Sequence, residues 1–127
     1  MNYIAIQNEV VKKYRIDLCA GDKCEDGDWQ RTHAHPKERR VCKWKQANSI
    51  RSTFTLFHEI GHIMNNKGGM LREEEEYYAT VLAIDECKKY GLQVPQTIID
   101  RYQRYIDMTA ERGKRRGGTG YGELKLQ

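Results

Sequence analysis

A chain of 127 residues with 31% charged side chains and a net charge of +4 is one domain by the usual length prior, and it can bury one compact core. Mean hydropathy is −0.85, and no apolar run approaches the roughly 18 residues a membrane span requires. The early residues, interrupted by Gln7, Asn8 and Glu9, lack the apolar centre of a signal peptide, so the expected setting is cytoplasmic, with no membrane partner.

In chain order, residues 3–13 read as a short helix that turns Tyr3, Ile6, Val10 and Val11 towards the core. Tyr14, Ile16 and Leu18 alternate with polar residues and suggest a first strand, followed by a polar loop rich in Gly and Asp through residue 28. Alternation returns from Arg40 to Gln46, with Cys42 and Trp44 on one face and Val41, Lys43 and Lys45 on the other, as in a strand with one wet face. If that strand is an edge, an extended chain can add to it through main-chain hydrogen bonds.

The next element carries the most chemistry. Phe54, Phe57, Ile60 and Met64 recur at helical spacing, Ser52 or Thr53 can cap the start, and the Asn65 to Gly69 run stops the helix. Within it lies His58-Glu59-Ile60-Gly61-His62, the His-Glu-x-x-His pattern of zinc peptidases. At 3.6 residues per turn the two imidazoles share a face, close enough to bind one ion, and Glu59 borders that face without joining the ligands. A carboxylate so placed can take a proton from a water that zinc has acidified. Gly61 in a helix interior costs about 1 kcal/mol against Ala and signals a close neighbour.

A catalytic zinc usually keeps three protein ligands, and the acidic run Glu73 to Glu76 is the obvious source of the third. It opens a helix that runs through Tyr77, Tyr78, Val81, Leu82 and Ile84 and ends at Gly91. If the buried stripe is centred on Tyr78, Glu74 lies about 40° from its middle and Glu75 near its edge, while Glu73 and Glu76 point away. That phase selects Glu74 and assigns the other acids to the helix dipole. Asp85 falls on the same face as a possible partner for a ligand histidine. Tyr77 or Tyr78 is available to steady an oxyanion, although packing explains both. Beyond, Pro95 suits a first helical position, and Ile98, Ile99, Tyr102, Tyr105 and Ile106 mark a last amphipathic helix to about residue 110.

The stretch Arg51-Ser-Thr-Phe-Thr-Leu-Phe-His-Glu-Ile-Gly-His62 resembles the R-x-x-F-T-L-A-H-E-L-G-H signature of the ImmA/IrrE metallopeptidases, and Glu74-Glu-Glu-Tyr-Tyr-Ala79 is similar to their downstream E-A-[DN]-x-[FY]-A segment. The resemblance covers about residues 48–85. It implies a zincin-like fold, Zn2+ held by His58, His62 and Glu74, and Glu59 as general acid/base. It also implies a zinc-dependent endopeptidase whose substrate is a protein, foremost a DNA-binding, helix-turn-helix repressor of a phage or mobile element. Phe57, Glu75 and Asp85 depart from the family pattern, at positions that shape the pocket.

Together these readings give a small α+β domain over residues 1–110, about four helices beside a two- to three-stranded sheet, and a flexible basic tail over 111–127. That tail carries five Lys/Arg against two Asp/Glu, so its basicity accounts for +3 of the net charge. Weak nucleic-acid contact through the tail is a minor expectation, since no groove-reading motif accompanies it. The cysteines at 19, 24, 42 and 87 are expected as free thiols; a structural zinc drawn from Cys19, Cys24, Cys42, His33 and His35 matches no familiar spacing. A competing class is a non-catalytic, zinc-stabilised binding or inhibitory module. No pattern in the chain specifies an oligomeric state.

Overall fold

The computed structural model describes residues 2–20, 33–44, 46–65, 68–115 and 125–126. It has helix α1 (Tyr3–Lys13), strands β1 (Asp17–Ala20), β2 (His33–His35) and β3 (Arg40–Trp44), then α2 (Ile50–Met64), α3 (Arg72–Lys89) and α4 (Gln96–Arg115). This is the expected α+β arrangement, four helices with a small mixed sheet. No helix of the described residues is long and apolar enough to cross a membrane.

α1 forms as its spacing requires. Val10 is fully buried, and Tyr3, Ile6 and Val11 pack on the core. The Asn2 side chain accepts from the Ala5 N–H to cap the start, while Asn48 Oδ1 accepts from the Tyr3 N–H at 2.7 Å. At the other end Tyr14 closes the last turn and Arg15 adopts a left-handed conformation at φ 55°. The chain therefore turns where alternation suggested a strand, and β1 begins only at Asp17.

β3 is the centre of the sheet, parallel to β1 and antiparallel to β2. Val41 stands between Leu18 and Ala34 on the side packed against the helices. Cys42, on the opposite side of the strand, is also fully buried, so β3 is covered on both faces here, and Val41, expected with Lys43 and Lys45 on the wet face, is buried instead. A short 3₁₀ turn at Pro36–Glu38 joins β2 to β3 through Arg39, left-handed at φ 49°. β2 is an addition to the strands foreseen, because a three-residue segment is too short to display alternation.

Helix α2 starts earlier than Ser52 or Thr53 would have it. The Ser49 side chain accepts from the Ser52 N–H at 3.1 Å, and Thr53 is buried instead, taking a hydrogen bond at 2.8 Å from Gln7 of α1. Phe54, Leu56, Phe57, Ile60 and Ile63 supply the centre of the core. Where α2 meets α3, a Cβ at Gly61 would stand 2.6 Å from both the Cα and the carbonyl oxygen of Ala79. The glycine allows this approach, as its position inside a helix had suggested.

α3 contributes Ala79, Ala83 and Cys87 to the interior, together with Glu86, which is almost wholly buried. Tyr14 Oη donates to Glu86, Lys13 Nζ reaches it at 2.9 Å and Lys89 Nζ at 3.2 Å. Burial raises the Glu86 carboxyl, but these donors outweigh it and hold the group below its ordinary value. α4 runs five residues past the expected end at 110, so Glu111 to Arg115 are helical. Farther on, the Leu126 N–H donates to Gln103 at 2.6 Å and Leu126 packs on the core, so this end of the basic segment lies against the domain.

Two stability effects follow. Gly61→Ala should destabilise the fold by about 2–3 kcal/mol in urea unfolding, because backbone overlap outweighs the gain in helix propensity. A carboxyl depressed by folding contributes stability that is complete above its unfolded value of about 4.5 and is lost as pH falls through the folded value. Glu86→Gln should therefore flatten the decline in stability below about pH 5, measured by urea midpoints across a pH series.

Candidate metal centre

His58 and His62 lie one turn apart on α2, with ring centroids 4.6 Å apart and planes near perpendicular at 87°. His58 is 6% exposed, wedged against Tyr102 of α4 at 4.7 Å between ring centroids. From α3 the carboxylate of Glu76 spans the pair: Oε2 stands 3.2 Å from His58 Nε2 and Oε1 3.3 Å from His62 Nε2. One ligand atom from each of the three residues lies within 4.8 Å of the others, the one such group of His, Cys, Asp and Glu among the described residues.

The third member is Glu76, which corrects the expectation of Glu74. Tyr78, taken as the centre of the buried stripe, is 42% exposed, whereas Ala79 is fully buried against Gly61. Counting from Ala79 at about 100° per residue, Ala83 lies about 40° away and Glu76 about 60° away on the same side, but Glu74 is about 140° to the other. Glu74 instead caps its own helix, its Oε1 accepting from the Leu71 N–H at 3.3 Å. The usable signal was the small residue: Ala79 and Ala83 mark a close helix crossing better than the large aromatics beside them.

Glu59 takes its expected place. It lies beside His58, with Oε1 3.8 Å from Nδ1, and lines a cavity of about 790 Å³ with His58, His62, Glu76 and Thr55 from one side and Arg101, Tyr102 and Tyr105 of α4 from the other. Tyr77 and Tyr78 line other surfaces, so the tyrosines at this cavity are those of α4. Asp85 is exposed on a different face and, among the described residues, partners no histidine. The strand expected to wall the cleft as an edge is the central β3, whose backbone is already paired on both sides.

Electrostatics in the group are tightly coupled. Burial opposes charge on His58, but the adjacent carboxylates of Glu59 and Glu76 prevail and push its pKa up to about 9. Burial likewise opposes the Glu76 carboxylate, and the two histidines overcome it, lowering the group to about 2. The same carboxylates that favour a proton on His58 would favour a metal cation in its place.

The donor set fits a divalent ion. His58 Nε2 and Glu76 Oε2 are buried and lack an aligned hydrogen-bond partner despite their proximity. Four donors at 2.0–2.1 Å from a tetrahedral zinc stand about 3.3 Å apart, which matches the two spacings to Glu76. Two imidazoles and one carboxylate are also a donor set of catalytic rather than structural zinc. Of the alternative soft ligands, Cys19 and Cys42 belong to no metal-holding group among the described residues, and Cys24 falls outside them.

No family model matches the chain, and neither does any curated protein or solved structure.

Glu76→Ala should weaken zinc binding at least about 100-fold in competition with a chromogenic chelator, and Glu74→Ala by less than about 3-fold. Equal losses in the two variants would contradict the assignment.

Proposed function

We propose that this chain is a zinc-dependent endopeptidase of the ImmA/IrrE kind. The observation that carries the reading is the meeting of His58, His62 and Glu76 beside Glu59 at one open cavity. A zinc ion held by these three residues would supply Lewis acidity, making a water acidic and polarising a peptide carbonyl.

The remaining steps belong to side chains of the chain itself. Glu59 follows His58 in sequence but stays out of the ligand group, so its carboxylate is available to accept the proton of the attacking water. It then returns that proton to the departing amine. Arg101, Tyr102 and Tyr105 face the same cavity from α4 and offer N–H and O–H donors where negative charge develops on the carbonyl oxygen. The close packing of Tyr102 on both Phe54 and His58 holds this wall in place, with ring centroids 5.0 Å and 4.7 Å apart.

A folded DNA-binding repressor of a phage or mobile element is the substrate favoured by the motif resemblance. A cytoplasmic setting belongs to the same reading.

Incubation of the zinc-loaded protein with repressors encoded beside its own gene should yield one discrete fragment pair that a chelator suppresses. Glu59→Gln should lower that rate by about 10²- to 10⁴-fold while retaining one zinc per chain. Cleavage that survives this substitution would refute the mechanism, and zinc retention without any cleavage would favour the binding-module alternative.

A further inference from the structure

One turn before Glu76 on α3, Glu73 is 3% exposed, yet it makes no hydrogen bond or ion pair with any described residue. It lines a cavity of about 270 Å³ together with Leu71, Arg72, Tyr105, Thr109, Arg112 and Gly113. Tyr105 also lines the cavity of the candidate metal centre, so the two spaces share a wall. Glu73 and Glu76 are separated by about 4.5 Å along the helix axis, less than the span of two residues in an extended peptide.

A carboxylate largely sheltered from water, with no hydrogen-bond donor among the described residues, is less favourable than a solvated one. The N-terminal turn of α3 relieves only part of that cost. Arg72 and Arg112 border the same cavity, but both are exposed and neither pairs with Glu73; their charges face solvent, where they are screened. At position 113 an added Cβ would stand 3.5 Å from Glu73 Oε1, so the glycine keeps the space beside the carboxylate open. The volume is small for a whole ligand and suits one long side chain.

We infer that this cavity is a specificity subsite of the same cleft, taking the arginine or lysine side chain of a bound polypeptide, with Glu73 as the residue that selects it. The inference rests on the peptidase reading for the meaning of the neighbouring cavity. The cation brings hydrogen-bond donors that no other described residue gives Glu73, and the sheltered position of the carboxylate strengthens such a charge-assisted pair.

The test uses the full chain loaded with zinc and a set of capped octapeptides in which one position at a time carries Arg or Met. Cleavage should favour Arg over Met by about 10- to 100-fold at one fixed position relative to the cut bond. In Glu73→Gln that ratio should fall towards 1, and Gly113→Leu, which fills the cavity, should reduce it similarly while zinc stoichiometry stays at one. A binding arm measures the same peptides against zinc-loaded Glu59→Gln by fluorescence anisotropy. Arg-dependent binding that Glu73→Gln removes, in the absence of any cleavage, would uphold the subsite and overturn the peptidase reading. Absence of an Arg preference in both arms, or a preference that Glu73→Gln leaves intact, would overturn the subsite.

Discussion

Gly61 and Ala79 bring the backbones of α2 and α3 so close that a single methyl group at position 61 would overlap the opposite main chain. That separation sets how far a glutamate on α3 must reach to meet imidazoles on α2. Glu76, one turn before Ala79, spans His58 and His62 with one carboxylate because the helices touch there. A bulkier pair at the crossing would push the helices apart and leave the carboxylate short of one ring or both.

The same closeness explains the electrostatics. Burying three ionisable groups in one place is unfavourable unless they compensate each other, and here they do: the acid is held ionised and His58 is held protonated, against the desolvation each suffers. Such an arrangement is ready to exchange the proton of His58 for a metal cation. Glu86 illustrates the contrasting case on the same helix. Its carboxylate is less exposed than that of Glu76, but Lys13, Tyr14 and Lys89 satisfy it, and it ties α1 to α3 with its donors already in place.

The two histidines and Glu59 were legible in the chain because their geometry is local: spacing within one helix determines which side chains share a face. The third ligand depends on the rotation of a second helix against the first, which is a tertiary quantity. The aromatic pair Tyr77 and Tyr78 drew the buried stripe of α3 towards themselves, whereas Tyr78 lies at the surface and small residues occupy the contact. A similar lesson holds for the sheet. Alternation located the strand around Cys42, but not that β3 would be central, since pairing on both edges depends on β1 and on a three-residue β2 that carries no periodic signal. The contribution of α4 to the cavity was likewise hidden: its apolar positions were clear, and its angle across His58 was not.

The most direct measurement is the anomalous difference density at the zinc edge from crystals of the zinc-loaded protein. The account requires one peak, in contact with the imidazoles of His58 and His62 and the carboxylate of Glu76, at distances of about 2.0–2.2 Å. A peak bound by Glu74 in place of Glu76, or a zinc seated on the cysteines with none at the two histidines, would contradict it.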